Sequence, residues 1–500
     1  MILRPQLQDI KIIFYYLGKI VIALGFLLFI PAIIGFLYKE ISPIFDFLIA
    51  SEICFILGFF LTISCRTDKD LSWMHGMIIV ALGWLIAMFL GAIPLYLSNH
   101  FTSYLDACFE TMSGLATTGL VLVQDLDHLS LAHNFWRHFI MFLGGQGIVV
   151  AAIAFFAKEA SGAFRMYVGE ARDERILPNV IHTARFIWLV SFIYLVLGTI
   201  CLGIVSLKIG LPANKAFFDG ACIFMAAFDT GGFAPYQQNI LYYHSFAFEL
   251  VTLGFMILGA INFNLHYALW TGKRREIFDN IEIQFLSFTI ISLFALVAID
   301  LTRFALYPSI DSMFRKGFFS LISAHTGSGH STLYAVQFVK EWQPLALIGL
   351  ILAMSIGGSV CSTTGGVKEL RLGIIWKGVT QEVRRMMLPQ ASNIITKFHH
   401  LKEMILEDSM LKMALLVSLF YVITFWVGAI VGVFYGYPLL LSMFESVSAT
   451  ANVGLSCGIT TASMPAVLKI LYILQMWAGR LEFICIFVLI GFFIALIKGK

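Results

Sequence analysis

The sequence predicts an all-α polytopic membrane protein: four repeats of outer helix, short pore helix and inner helix around a pseudo-fourfold axis, plus two extra N-terminal transmembrane helices. Three observations lead there. The 500 residues are 59% apolar and only 13% charged, where soluble chains carry roughly 25% charged residues, and the mean hydropathy is +0.87. Ten apolar runs are long enough to cross a bilayer, which takes about 20 residues per helix. Four shorter semi-apolar pieces between them share one glycine-centred pattern.

The long runs lie at 12–37, 43–65, 72–97, 134–157, 184–207, 245–270, 283–307, 343–375, 410–434 and 466–497. The first is too long for a cleavable signal peptide and lacks a small-residue cleavage site. The run at 343–375 is too glycine-rich to be one clean helix. The short pieces, near 103–115, 214–228, 312–325 and 439–450, cannot span and read as re-entrant or interfacial. Lys and Arg concentrate in alternate loops: Arg66 and Lys69; Lys158, Arg165, Arg172, Arg175 and Arg185; Lys273, Arg274 and Arg275; and six between 376 and 412. The positive-inside bias then puts both termini in the cytoplasm and opens all four short pieces to the outside. The longest polar stretch, 376–409, is basic, and the spacing of Val383, Met386 and Met387 suggests a surface helix.

Several function classes are excluded. A net charge of +3 gives no large basic face for nucleic acid. Eight cysteines with no CxxC pair argue against a disulfide framework or a zinc site. His399-His400 has no other metal-ligand type nearby. There is no Walker A, G-x-S-x-G, HExxH or Rossmann sequence, so no enzyme and no directly bound cofactor is expected.

The short pieces align on one glycine each. The tetrapeptides are Thr117-Thr118-Gly119-Leu120, Thr230-Gly231-Gly232-Phe233, Gly327-Ser328-Gly329-His330 and Asn452-Val453-Gly454-Leu455. Six residues earlier stand Ser113, Ala226, Ser323 and Ser448; ten earlier stand Phe109, Cys222, Phe319 and Phe444. A second glycine feature follows each anchor, at Gly144-Gly145-Gln146-Gly147, Gly259-Ala260-Ile261-Asn262, Gly357-Gly358-Ser359 and Ala478-Gly479-Arg480. Non-helical backbone at membrane depth is tolerated only when buried in protein or lining a water-filled cavity. Four such loops can turn their carbonyls toward one axis, because glycine permits the backbone it needs. Rings of carbonyls replacing a hydration shell are how potassium channels select their ion. The C-terminal ends of the short helices, partly negative, would favour a cation there.

The residues LDACFETMSGLATTGL (105–120), RHFIMFLGGQGIVVAAIA (137–154), GGSVCSTTGGVKELR (357–371) and AGRLEF (478–483) carry a family resemblance. The chain resembles the Trk/Ktr/HKT superfamily of potassium transporters over about residues 70–500, and the extra N-terminal spans make it most similar to bacterial Trk-type membrane subunits. The resemblance implies potassium uptake across the bacterial cytoplasmic (inner) membrane. Gly119, Gly232, Gly329 and Gly454 would be selectivity-filter glycines, flanked by Thr117, Thr118, Thr230, Gly231, Gly327, Ser328, Asn452 and Val453. The 357–366 stretch, with Gly357, Gly358, Ser359, Ser362, Thr363, Thr364, Gly365, Gly366 and the following Lys368, would be an intramembrane gating loop. Arg480 would face the permeation path. A homodimer with one pore per subunit and a cytosolic RCK-type nucleotide-binding regulatory subunit are also implied, with loops 158–182 and 376–409 as contacts. The units would divide as an N-terminal extension, 1–68, and repeats at 69–160, 161–275, 276–405 and 406–500.

The third tetrapeptide departs from the family pattern by lacking Thr two residues before its glycine and by carrying His330 after it. That leaves sodium- or proton-coupled symport as the alternative to channel-like uptake. Among charges in apolar context, Arg480 reads as an electrostatic barrier placed mid-span. Glu110 and Glu445 read as anchors of the short helices. Asp106 and Asp125 read as outer-mouth acids or solvated groups, and Arg137 as a snorkelling interfacial residue.

Overall fold

The computed structural model describes residues 5–69, 71–147, 180–389 and 395–499. Six helices in it are long and apolar enough to cross a membrane: Leu7–Leu37, Ile41–Ser64, Trp73–Leu97, His182–Lys208, Ile281–Arg303 and Asp408–Phe434. The first two pack side by side through Gly18 and Gly58, where a methyl group on Gly18 would lie 2.9 Å from the Gly58 carbonyl oxygen. Close backbone approach of this kind is how membrane helices associate, since lipid tails are as apolar as the side chains they would replace. This pair leans on Trp73–Leu97, the most enclosed of the six.

The four half-length pieces are helices inside the protein body: Tyr104–Leu115, Ala213–Phe228, Phe319–His325 and Leu439–Thr450. The third is preceded by a π-helical turn, Met313–Phe318. From Asp106 to Leu115 every residue of the first is buried, so it is no amphipathic surface helix. Ser103 caps it by accepting the Asp106 N–H at 3.2 Å.

Each short helix leads through a connecting segment, which holds a 3-10 turn at Asn239–Tyr243 in the second copy and a short helix at Ala335–Lys340 in the third, to an inner helix: Leu131–Gln146, Phe246–Ala260, Pro344–Ser355 and Ala466–Arg480. The sequence expectation of unbroken spans at 245–270 and 466–497 does not hold. The chain bends by 102° between Phe246–Ala260 and Phe263–Trp270, and by 110° between Ala466–Arg480 and Ile484–Lys498. The reason is packing. Gly259 and Gly479 sit so close under the Phe228 and Thr450 carbonyls that a methyl would lie 1.9 and 1.7 Å from the oxygens. Within the second break, Glu482 and Phe483 take left-handed φ of 50° and 69°. Hydropathy runs through both breaks and hides them. Arg480 is consequently the last residue of its helix and not mid-span. The 134–157 run is helical to Gln146; residues 148–179, with most of the 158–182 loop and Lys158, Arg165, Arg172 and Arg175, lie outside the described residues.

Two small β ladders interrupt the all-α expectation. Ile356–Gly357 pairs in parallel with Val367–Lys368, closing the 357–366 loop at its neck. Lys397–His400 and Lys402–Ile405 form an antiparallel hairpin. The 376–409 stretch thus begins as the predicted helix, Glu369–Met387 with Val383, Met386 and Met387 exposed, and ends in that hairpin. Phe398 and Leu406 seat it against Ile281, Ile374 and Ala414.

Candidate functional site

The four tetrapeptides share one backbone conformation. Their first residues, Thr117, Thr230, Gly327 and Asn452, have φ of 52°, 52°, 69° and 55°, and their glycines Gly119, Gly232, Gly329 and Gly454 have 89°, 71°, 68° and 90°. Gly327 therefore does conformationally what threonine or asparagine does in the other three. The residue six before each glycine binds the segment: the carbonyls of Ser113, Ala226, Ser323 and Ser448 accept the N–H of Thr118, Gly231, Ser328 and Val453 at 2.7–2.9 Å.

The four segments also lean on one another in order. A methyl on Gly119 would lie 2.0 Å from Gly231 O, on Gly232 2.2 Å from Ser328 O, on Gly329 2.0 Å from Val453 O, and on Gly454 1.9 Å from Thr118 O. The contacts run first to second to third to fourth and back to first, a closed cycle that leaves no room for a side chain at any of the four glycines. Asn452 Nδ2 adds a direct tie, donating to Thr118 Oγ1 at 3.0 Å.

The 357–366 loop sits directly against the base of this ring. Thr363 Oγ1 lies 3.0 Å from Phe228 O and 2.9 Å from Gly259 O, and Thr230 Oγ1 donates to it at 3.2 Å. Thr117 Oγ1 donates to Thr363 O at 3.4 Å. A methyl on Gly365 would lie 2.3 Å from Ala451 O, and one on Gly358 2.5 Å from Ala260 O. Ser359 N donates to Ala260 O at 2.9 Å. Ser362 Oγ and Thr364 Oγ1 are 2.9 Å apart, and buried Lys368 donates to the Thr364 carbonyl and hydroxyl, bracing the loop from within. Gly366, with φ 70°, turns the chain into the neck ladder. Arg480 reaches the same place. Its guanidinium donates to Gly144 O at 2.7 Å, Gly145 O at 3.1 Å, Thr117 Oγ1 at 3.2 Å and Thr363 O.

Around the ring, buried acids hold the descending and ascending segments together. Glu110 accepts the Leu122 N–H at 2.7 Å and pairs with Arg137, both side chains wholly buried. Arg137 is therefore an internal ion pair and not a snorkelling residue. Glu445 accepts from Ser456 Oγ, the N–H of Cys457 and Ile459, and Thr460 Oγ1 at 2.6–3.1 Å. Asp106 is buried too, paired with Lys469 at 2.5 Å, whereas Asp125 is exposed beside His128. Arg315, at the head of the third short piece, is balanced by Glu249 at 2.7 Å. His330 is fully buried, and its Nδ1 lies 3.0 Å from Asn239 Oδ1, while Asn239 Nδ2 donates to Gly232 O at 3.0 Å.

Comparison with known proteins decides the family. The sequence profile of the TrkH cation transport protein family matches residues 43–495. The chain belongs to the TrkH family. It is 34% identical to an uncharacterized cation transporter of Methanocaldococcus jannaschii over 98% of this chain and 97% of that one. It is 27% identical to the Trk system potassium uptake protein TrkG of Escherichia coli, covering 97% and 99% of the two chains. The crystal structure of the potassium transporter TrkH from Vibrio parahaemolyticus has the same fold, with a TM-score of 0.80, 24% identity and coverage of 96% and 98%. This TrkH-family chain is a multi-pass membrane transporter subunit and not an enzyme.

Sequence reasoning missed several residues that this TrkH-family site uses. Asn239, between the second tetrapeptide and its inner helix, binds two loops at once. Asp229, at the foot of the second short helix, accepts Gln146 Nε2 at 2.7 Å. Glu282 accepts the Val360 N–H at 2.7 Å. Among these, Asp229 carried a usable signal, being an acid immediately before the first residue of a tetrapeptide.

Proposed function

We propose that the protein is a potassium uptake pathway of channel-like architecture. Four outer helix–pore helix–inner helix units, at 69–160, 161–275, 276–405 and 406–500, surround one pseudo-fourfold pore, with 1–68 as an extension. The carbonyls of the 117–119, 230–232, 327–329 and 452–454 segments replace the water of a potassium ion. The single observation that carries this reading is the closed cycle of glycine-to-carbonyl contacts, 119 to 231, 232 to 328, 329 to 453 and 454 to 118. Such a cycle brings four main-chain segments of like conformation to one place at membrane depth, where irregular backbone persists only if buried or facing water. The Escherichia coli relative is a Trk system potassium uptake protein, which supports potassium as the ion.

The ion enters from the outside, loses its water in the filter and is driven inward by about 2.3 kcal/mol per charge per 100 mV. Below the filter the 357–366 loop acts as the gate, and Arg480 clamps it by holding the Thr363 carbonyl against the first inner helix. A fixed guanidinium there also repels a cation until the loop and the arginine move together. The family pattern extends this reading to a homodimer with one pore per subunit in a bacterial cytoplasmic membrane, both termini inside. It also supplies an RCK-type nucleotide-binding subunit docked on the cytosolic face, where the basic 376–409 segment is available. The test is rescue of a potassium-uptake-deficient bacterium at low external potassium, with rubidium tracer flux in proteoliposomes. The intact protein is expected to rescue, while Gly119→Ala and Gly329→Ala, expressed and monodisperse, are not. Growth of either variant at the wild-type rate would overturn the filter assignment.

A further inference from the structure

The loop beneath the ring is held on its cytosolic shoulder by one carboxylate. Val360 N–H donates to Glu282 Oε1 at 2.7 Å. The other oxygen of Glu282 lies 3.5 Å from Asn262 Nδ2 and 3.8 Å from His400 Nδ1. Glu282 is fully buried in the first turn of Ile281–Arg303, whose cap, Asn280, accepts the Glu282 N–H at 3.0 Å and faces the same His400 nitrogen at 3.4 Å. Asn262 stands at the bend of the second inner helix, next to the Ala260 carbonyl that holds Ser359. One side chain thus joins the loop, the broken inner helix and the 397–405 hairpin.

The hairpin itself is moored through its histidines and one apolar seat. His399 Nε2 lies 2.9 Å from Glu276 Oε1, which also accepts the Leu401 N–H at 3.1 Å, and its apolar seat is Phe398 and Leu406. Between hairpin and loop lies a cavity of about 570 Å³, bordered by Val360, Arg371, Phe398, His400 and Met404. A displaced loop has somewhere to go.

We propose that Glu282 is the latch of the 357–366 loop and that the hairpin sets the latch through His400. With the hairpin seated, His400 holds the Glu282 carboxylate where it accepts the Val360 N–H, and the loop stays under the ring. With the hairpin lifted, the carboxylate loses that support, Val360 is released and the loop moves into the cavity. Glu282 and His400 are positioning residues, since neither touches the ion. This inference rests on the loop being the gate.

Cys361, buried beside Val360, is a native reporter of loop position. The experiment reads its maleimide modification, resolved from the other thiols by peptide mass, together with rubidium flux in proteoliposomes of the full chain. Glu282→Ala is expected to speed modification of Cys361 by about tenfold, the effect of losing one hydrogen bond to a charged group, His400→Ala to speed it by a smaller factor, and both to raise flux. The double variant is expected to do no more than Glu282→Ala alone. Glu282→Gln, which keeps an oxygen for Val360, is expected to return toward wild type, as a generally weakened fold would not. Thr363→Val tests the gate separately by removing the hydroxyl bound to Phe228 and Gly259. If Thr363→Val raises flux while the Glu282 and His400 variants leave Cys361 and flux unchanged, the latch is overturned and the gate stands. Faster Cys361 modification in all three variants with no change of flux overturns the gate reading and leaves the Glu282 contact. Additive effects in the double variant overturn the coupling through His400.

Discussion

Arg137 and Glu110 face each other with no access to water, and Arg137 also lies 4.3 Å over the ring of Phe233, the last residue of the second tetrapeptide. Removing one member of such a pair leaves an uncompensated buried charge, at a cost of about 3–5 kcal/mol. Arg137→Met is therefore expected to lower the thermal midpoint in detergent sharply, and adding Glu110→Gln is expected to recover part of the loss. A double variant no more stable than Arg137→Met would show that the pair is not the cause. These contacts were hard to read in advance. Glu110 could be placed as an anchor because it lies on a short helix beside the repeat. Its partner was unpredictable from a run whose start looked interfacial. Asp106 and Lys469 meet across 363 positions of chain, a pairing no local pattern encodes. The tetrapeptides were legible for the opposite reason. A left-handed φ followed two residues later by another restricts the choice of residue in all four copies, and the same restriction leaves the same trace.

At the scale of single elements, the 397–405 hairpin was the least expected feature, because its charges were read as one basic inner loop. Its mooring depends on protonation. The Glu276 carboxylate, hydrogen-bonded to His399, holds that imidazole's pKa above its ordinary value, with Glu403 adding to the effect. A group whose pKa is raised in the folded state stabilises fully below its unfolded value, about 6.5, and the contribution is lost as pH climbs through the raised one. Hydrogen exchange at the hairpin is thus expected to quicken on going from mildly acidic to alkaline pH, more than intrinsic exchange alone accounts for. His399→Gln is expected to flatten that excess; an unchanged excess would remove His399 from the account. The inner-helix breaks teach a related lesson. The glycines at 259 and 479 were visible as repeated features, but their effect on helix direction was not. It arises from a carbonyl on another helix pressing where a side chain would be.

For the whole molecule, the recurrence was legible because each of the four units orders a short helix, a left-handed tetrapeptide glycine and a further helix in the same way. The third unit departs most: its inner helix yields to a loop that touches the other three. Arg480 couples that loop to the first unit from the fourth, so it spans the assembly and not one helix pair. Arg480→Ala is expected to raise rubidium flux under conditions where the wild type is quiet, with Arg480→Lys in between. Flux and regulation equal to wild type in both would reduce the residue to a packing role.

The cycle that joins Gly454 to Thr118 also bears on biosynthesis. Asn452 and Thr118, its touching neighbours, lie 334 positions apart, so the last contact becomes available only after the fourth unit has left the ribosome and entered the bilayer. Until then three segments have been delivered and only the second has both of its neighbours. A chain stalled or clipped before that point therefore lacks the closed ring, and under the proposed potassium-uptake reading a half-made protein does not short-circuit the membrane that receives it.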